Sequence, residues 1–152
     1  VYGKTKSLGE VNIKNFFNIR VSIIGKELDT KNSLVEWFLS NEKKEKIFGF
    51  KDHLWNGVTT SVFSHILYTI INKKIIIPNN FHLIPKDKVN KFKLMQLLKN
   101  HYGFKNLKII KKNSNNRINR ILETNHKILN DKIWSNTKYK RKLSIEEIIL
   151  TL

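Results

Sequence analysis

Two residues near the start of the chain have the types and the spacing needed to deliver a proton. Tyr2 and Lys6 are four positions apart, so they share one face if this stretch is helical. Reduction of a ketone requires a hydride from one side and a proton at the oxygen. A phenol with a pKa of about 10 is a weak acid at neutral pH, but a neighbouring cation lowers that pKa. The pair is therefore a candidate acid with its tuning cation.

The spacing of this pair carries little information by itself, because lysine is abundant throughout the chain. A chance Tyr-x-x-x-Lys is close to expected in such a sequence. The interpretation therefore depends on the downstream elements that must position the pair.

The composition predicts one folded domain. The chain has 152 residues, of which 40% are hydrophobic and 11% aromatic, as in a globular domain rather than a disordered chain. It contains no cysteine, which excludes thiolate sites and disulfides, and its histidines lack metal-ligand spacing, so we expect no metal. We also expect no membrane partner and a cytoplasmic protein, because no apolar run is long enough to span a bilayer and no cleavable signal is visible.

The net charge of +17 has two interpretations. A strongly basic chain is typical of proteins that bind nucleic acids. However, Lys, Asn, Ile and Phe are all plentiful while Ala is absent and Arg is scarce, which indicates a compositional bias. Arg is the residue best suited to phosphates and guanine edges. We favour the bias and do not expect a nucleic-acid partner, with a small basic nucleic-acid-binding protein as the alternative of another class.

Alternating helix and strand patterns predict an α/β fold. Helical spacing of apolar residues predicts helices at about 2–17, 33–41, 59–71, 89–102 and 145–152. Short β-branched or aromatic runs predict strands at 21–24, 46–50, 81–84 and 107–110. Residues 52–58 and 111–119 are interpreted as loops. Ser33 and Glu36 have the spacing of a capping box, and Gly103 stands where a glycine ends a helix.

Several of these stretches together resemble one known family. Residues 2–10, with Tyr2, Lys6, Gly9 and Glu10, resemble the YxxxK helix of extended short-chain dehydrogenases/reductases, in the form found in dTDP-4-dehydrorhamnose reductase-like sugar-nucleotide reductases. Matching stretches follow in the family's order, at 20–25, 27–28, 33–40, 49–50, 55–60, 81–83 and 119–122.

The resemblance is to the second half of such an enzyme. It implies the C-terminal part of a Rossmann-like doubly wound sheet plus a small α/β substrate-binding lobe. Residues 1–25 would end the dinucleotide-binding domain, and residues 26–152 would form the lobe, with a returning helix and strand of the sheet at about 59–84. The glycine-rich pyrophosphate turn of the family has no counterpart here, since the glycines are isolated. We therefore expect a portion of a longer enzyme.

The resemblance also implies the catalytic and cofactor-binding residues. Tyr2 would protonate the substrate oxygen, and Lys6 would tune Tyr2 and hold the nicotinamide ribose of NADP or NAD. Ile24 and Gly25 end a predicted strand, where ligands meet an open α/β sheet, and their backbone would border the nicotinamide.

The substrate-binding residues are predicted further along the chain. Trp55 and Asn56 lie in a predicted loop between strand and helix, where substrate contacts are common. Arg120 matches an arginine of the family and would bind the diphosphate of a nucleotide sugar. Arg117 is a weaker second candidate for that role.

The implied activity is reduction of a 4-keto nucleotide sugar by an NAD(P)-dependent enzyme of polysaccharide-precursor synthesis. Alternatives are an epimerase or dehydratase of the same family, and an interaction protein that keeps the fold without the chemistry. We expect as partners the nucleotide-sugar substrate, the N-terminal cofactor-binding half and, through the helix at 2–17, a second copy of the chain. Without that half we expect no turnover, and we expect exposed apolar faces at 2–17 and 21–24.

Overall fold

Short helices and strands alternate along the chain. The computed structural model describes residues 2–11 and 13–152, except the side chain of Tyr2. The described helices are α1 (Tyr2–Leu8), α2 (Leu34–Leu39), α3 (Thr60–Asn72), α4 (Lys91–Tyr102), α5 (Lys127–Asn136) and α6 (Ile145–Ile149). The described strands are β1 (Ile19–Arg20), β2 (Ile23–Ile24), β3 (Lys46–Phe50), β4 (His53–Trp55), β5 (Val58–Thr59), β6 (Phe81–His82), β7 (Val89–Asn90), β8 (Lys108–Lys112) and β9 (Ile118–Arg120).

The strands pair mostly in parallel. The pairs β1–β6, β2–β5, β3–β8 and β4–β9 are parallel, and β4–β7 is antiparallel. Parallel neighbours need long connections, and the connection from β1 to β6 includes α3. Residues 19–24 thus pair with the strands on both sides of α3. The mixed α/β class with parallel strands is confirmed, whereas the domain boundary at residue 25 stays a prediction.

The helix ends follow the predicted capping chemistry with one exception. The Ser33 hydroxyl accepts a hydrogen bond from the Glu36 N–H at 3.2 Å, as expected of an N-cap. The Glu36 carboxylate accepts from the backbone of Glu27 instead of returning to Ser33, so the predicted capping box is only half formed. Gly103 ends α4 in the left-handed region, with φ 70°, as predicted.

The predicted helix over 2–17 is wrong beyond Leu8. Helix α1 ends there, and the segment after it turns through Asn15, whose φ is 72°. The Asn18 side chain then binds the backbone of Val11 on both its amide atoms, at 3.2 and 2.8 Å. Asparagine tolerates this conformation and competes with helical hydrogen bonds. The apolar spacing that predicted a helix instead belongs to a surface segment.

Other boundaries also differ from the prediction. The predicted loop at 52–58 contains β4, and the one at 111–119 contains the end of β8 and the start of β9. Helix α6 ends at Ile149. Helix α5 was not predicted, because its N-cap His126 makes no side-chain capping bond. A buried asparagine, Asn130, also interrupts its apolar face and binds the backbone of Ile84.

The core lies where α4 packs on β3, β8 and α6, and where α3 packs on α5. Trp134 is fully buried, and its indole N–H donates to the Ile84 carbonyl at 2.9 Å. Gly49 allows the close approach of α4 to β3, because a Cβ there would lie 2.6 Å from Phe92 Cα. None of the described helices is long and apolar enough to cross a membrane.

Apolar side chains near the N-terminus are exposed, as predicted for 2–17, whereas within 21–24 Ile23 is exposed and Ile24 is buried. The exposed fractions are 85% for Leu8, 60% for Ile13, 55% for Phe16, 53% for Phe17 and 45% for Ile23. These exposed apolar residues all lie between Leu8 and the end of β2.

Candidate active site

The end of β2 packs directly against the start of α3. Ile24 is 6% exposed and lies in parallel register with Thr59, the N-cap of α3. A Cβ on Gly25 would come within 2.8 Å of Thr60 Oγ1, so glycine permits this close approach. Both residues predicted to border the cofactor therefore lie at the carboxyl end of a parallel strand pair, where ligands of open α/β sheets are found.

Trp55, at the end of β4, connects this strand end to the β4–β9 pair. Its indole N–H donates to the Ser22 hydroxyl at 2.7 Å, and the N–H of Val58 donates to the Ser22 carbonyl at 2.9 Å. Gly57 makes the connection sterically possible, because a Cβ there would overlap the Ser22 carbonyl and approach Trp55 Cζ2 to 2.5 Å. Trp55 was predicted in a loop, but it ends strand β4, which fixes its backbone more firmly than a loop would.

Arg120 lies beside Trp55 at the mouth of a cleft. The two residues are register partners in the parallel pair β4–β9, and Arg120 itself is exposed. The cleft has a volume of about 240 Å³. It is lined by Leu34, His53, Leu54, Trp55, Lys91, Leu94, Ile118 and Arg120. The structure thus brings two of the predicted substrate residues together at one opening.

The charges at this cleft are positive and uncompensated. Lys91 is half-buried, and burial together with the charge of Arg120 lowers the pKa of its ammonium group. Within the described residues neither Lys91 nor Arg120 forms an ion pair, and the lining includes no acidic residue. His53 adds a buried Nε2 atom that has no hydrogen-bond partner among the described residues. A half-buried opening with two cations and no carboxylate favours an anionic ligand.

Asn56 and Arg117 lie outside the lining of this cleft. Asn56 is 5% exposed. Its amide accepts from the Leu122 N–H at 2.8 Å and donates to the Leu122 carbonyl at 2.9 Å. This pair of bonds holds the segment after β9, and with it Arg120, against β4. Arg117 is exposed and precedes β9; the two roles predicted for these residues stay predictions.

The predicted catalytic pair lies on α1. Tyr2 and Lys6 are both within this helix, Lys6 is exposed, and the Tyr2 side chain falls outside the described residues. The segment after α1 is anchored by Arg20, whose guanidinium binds both carboxylate oxygens of Glu10 at 2.6 Å. This guanidinium holds the pKa of Glu10 below its usual range. Arg20 also contacts His82 on β6 at 3.3 Å, so the segment after α1 is connected to the β1–β6 pair. The catalytic role of Tyr2 and Lys6 stays a prediction.

Sequence reasoning missed Lys91 and His53 as cleft residues. Lys91 is the first residue of α4, at the positive end of a helix, where acidic residues are favoured and cations are not. That mismatch was the available signal. His53 gave no signal, because it was assigned to a loop instead of the strand that turns it toward the cleft. Among the described residues no group of three potential metal ligands occurs.

Comparison with solved structures defines the fold. It is that of Rossmann-like enzymes of the short-chain dehydrogenase/reductase type, matched over their C-terminal portion. Similar structures include dTDP-4-dehydrorhamnose reductase from Yersinia enterocolitica, at 16% identity and a TM-score of 0.66 over 88% of this chain and 47% of that one. The enzyme of the same name from Bacillus anthracis, in complex with NADP, gives 18% identity and a TM-score of 0.63 over 90% and 47%.

A third similar structure is an enzyme with a different activity from the two reductases. UDP-glucose 4-epimerase from Thermotoga maritima, with UDP-glucose, gives 15% identity and a TM-score of 0.55 over 87% of this chain and 42% of that one. The chain thus spans about half the length of the solved structures it matches. No family model and no curated protein matches the sequence. At these identities the similarity shows the fold.

Proposed function

We propose that the chain is the C-terminal portion of an NAD(P)-dependent oxidoreductase that reduces a 4-keto nucleotide sugar. The observation that carries this proposal is the continuous connection from the strand end at Ile24 through Ser22 and Trp55 to Arg120. It joins the residues proposed for the cofactor to those proposed for the substrate. The fold shared with dTDP-4-dehydrorhamnose reductases supports the same proposed activity.

The proposed chemistry divides the work among a few residues. A bound nicotinamide supplies the hydride. Tyr2 donates a proton to the C4 oxygen of the sugar, and the Lys6 ammonium lowers the pKa of the phenol so that it can act near neutral pH. Arg120 binds the diphosphate with charge-assisted hydrogen bonds, and Trp55 packs beside it. Holding the substrate by its diphosphate fixes the sugar relative to the proton donor.

The residues at the strand end fit one side of a nicotinamide site. Gly25 presents backbone without a side chain, and its neighbour Ile24 is held in the parallel pair with β5. Lys6 would bind the ribose hydroxyls. Most of the binding energy for a dinucleotide comes from a glycine-rich turn before a helix, which we propose is supplied by an N-terminal cofactor-binding half. NADP and NAD both remain compatible with these residues.

Exposed apolar side chains support such a partner. Leu8, Ile13, Phe16 and Phe17 lie within ten positions of the sequence and are each more than half exposed, and clustered exposed apolar side chains are typical of interaction sites. We propose that the cofactor-binding half covers it; a second copy of the chain is the alternative. Sedimentation equilibrium of the purified chain tests the alternative, because a homodimer persists at micromolar concentration whereas a chain awaiting the other half associates without a defined stoichiometry. A cleanly monomeric chain with a cooperative melt would contradict both.

Binding tests the substrate assignment without needing the cofactor half. In calorimetric titrations with UDP-glucose and dTDP-glucose we expect saturable binding to the chain. Arg120→Met should weaken it about tenfold or more, the effect of losing a charged hydrogen bond, while Lys93→Met, at an exposed position outside the cleft lining, should change it less than about threefold. Absence of saturable binding to either nucleotide sugar would overturn the substrate assignment.

Turnover measurements test the proposed catalytic activity and its requirement for the cofactor-binding half. We expect no NADPH oxidation by the chain alone with a dTDP-4-keto sugar, and activity when the cofactor-binding half is added in trans. Robust turnover by the chain alone would contradict the requirement for that half. Failure to recover activity with the half present, despite intact binding, would support the non-catalytic alternative.

The similarity to a UDP-glucose 4-epimerase favours a second candidate activity. An epimerase returns the hydride to the sugar, whereas a reductase consumes one NAD(P)H for each product molecule. Stoichiometric loss of NAD(P)H absorbance in the reconstituted enzyme therefore selects the reductase. Sugar interconversion without that loss selects the epimerase.

A further inference from the structure

Lys91 has an unusual setting for a lysine. Its ammonium lies 5.2 Å from the ring centroid of Trp37 and 5.9 Å from that of Phe50. These aromatic faces attract a cation but leave its charge in place. Lys91 forms no ion pair with the described residues. Lys91 nevertheless lines the cleft, where it is a charged group without a counter-ion among the described residues.

The electrostatics of this position are unfavourable in the free protein. Arg120 is a second positive charge at the same cleft, and like charges in a partly desolvated site repel each other. The amino end of α4, where Lys91 lies, adds a positive helix dipole. The lowered pKa of Lys91 is the consequence of burial and of Arg120. An anion bound between the two cations would offset their repulsion and would raise the pKa of Lys91.

We propose that Lys91 is a second phosphate-binding residue and that Lys91 and Arg120 together select a diphosphate over a single phosphate group. The identification of this ligand as the diphosphate of a nucleotide sugar rests on the proposed function. The cleft volume of about 240 Å³ is below the roughly 300–1,000 Å³ of pockets that enclose a drug-sized ligand. The cleft is thus suited to the phosphates of such a substrate, with the remainder lying along the neighbouring surface.

The size of the effect follows from the charge. A hydrogen bond to a charged group contributes about 1.5–3 kcal/mol, which is roughly a tenfold to hundredfold change in affinity. Lys91→Met keeps the length of the apolar stem and removes the charge. Lys93→Met is the matched control, because Lys93 is an exposed lysine two positions along the same helix and does not line the cleft.

Calorimetric titrations with inorganic pyrophosphate, inorganic phosphate and UDP-glucose at one fixed low ionic strength test the proposal. The unsubstituted chain should bind pyrophosphate more tightly than phosphate. Lys91→Met should weaken pyrophosphate binding at least tenfold and remove that preference, and Lys93→Met should change it less than about threefold. Thermal unfolding in the same buffer should show Lys91→Met unfolding cooperatively within about 4 °C of the unsubstituted chain, because the loss of the aromatic contacts is offset by the removal of an uncompensated charge. Lost binding would then not reflect misfolding.

The outcomes separate this proposal from the proposed function. Equal pyrophosphate binding by the unsubstituted chain and Lys91→Met would overturn the role of Lys91, and so would an equal loss in Lys93→Met. Failure of the unsubstituted chain to bind pyrophosphate would overturn it as well. Pyrophosphate binding that depends on Lys91, without any binding of UDP-glucose, would support the anion site and contradict the nucleotide-sugar substrate.

Discussion

The indole N–H of Trp55 donates a hydrogen bond of 2.7 Å to the hydroxyl of Ser22. This bond joins residues 33 positions apart, from the segment between β1 and β2 and from the end of β4. Because Trp55 is also the register partner of Arg120, the bond ties the proposed diphosphate-binding residue to the strand end proposed for the cofactor. Ser22 is therefore a positioning residue for the proposed site.

Removing the Ser22 hydroxyl tests this connection. Ser22→Ala leaves a half-buried indole N–H without its partner, which costs about 1–2 kcal/mol. For a chain of this size the melting temperature should fall by roughly 2–8 °C. The measurement is thermal unfolding followed by circular dichroism.

Two controls accompany that prediction. Ser135→Ala removes an exposed hydroxyl whose described hydrogen bond goes to the backbone of its own helix and should change stability by less than about 0.5 kcal/mol. In a Trp55→Phe background, Ser22→Ala should cost little more, since the bond is already absent. Fully additive effects of the two substitutions would contradict the proposed coupling.

The two glycines near this connection should differ in their tolerance of alanine. At Gly57 a Cβ would meet the Ser22 carbonyl and the Trp55 ring, and backbone cannot move away cheaply. We expect Gly57→Ala to destabilise the chain by about 3 kcal/mol or more. At Gly25 the nearest atom is the side-chain hydroxyl oxygen of Thr60, which can shift more easily than backbone, so Gly25→Ala should cost about 1 kcal/mol. Urea unfolding of both variants measures the difference, and equal costs would argue against the described packing.

Glu147 should make stability depend on pH in acid. Its carboxylate binds the Arg141 guanidinium and the Ser144 backbone N–H, which lowers its pKa to about 2. A carboxylate whose pKa is lower in the folded than in the unfolded state stabilises the fold above the usual glutamate range, and this contribution is lost as the pH falls toward 2. Glu147→Gln should therefore lower the melting temperature at neutral pH, by an amount that shrinks steadily below about pH 4.5.

The neighbouring Glu146 is the matched control for this effect. It lies in the same first turn of α6 and is exposed, so Glu146→Gln should change the melting temperature little across the same pH range. A Glu147→Gln difference that stayed constant from neutral pH to pH 2 would show that the capping arrangement, and not its charge, stabilises α6.

The elements with strong local signals were predicted correctly from the sequence. Helix α3 has a continuous apolar stripe and Thr59 as its N-cap, and α4 ends at Gly103, so local chemistry defines both. Strand β3 was likewise predicted with its observed bounds. The prediction of a helix over 2–17 was wrong beyond Leu8, because apolar spacing does not distinguish a helix from a surface segment held by the side chain of Asn18.

The site was predictable only in part, because its geometry depends on long-range pairing. Trp55 and Arg120 were selected individually, but their register across β4–β9 is set by strand β4, which was predicted as a loop, and by β9, of which only Arg120 was predicted to lie outside a loop. Asn56 was selected as a substrate residue, and its bonds to Leu122 emerge only from the fold. Lys91 is distinguished by its neighbours Arg120, Trp37 and Phe50, which come from three different elements.

Nuclear magnetic resonance of the tryptophan indole N–H groups tests the central claim most directly. The chain has three tryptophans, and their indole signals can be followed while UDP-glucose is added. We predict a saturable shift of the Trp55 signal that is lost in Arg120→Met. The signal of Trp134, which is fully buried and bonded to Ile84, should stay unchanged. A Trp55 signal that does not move at saturating UDP-glucose would contradict a nucleotide-sugar site at this cleft.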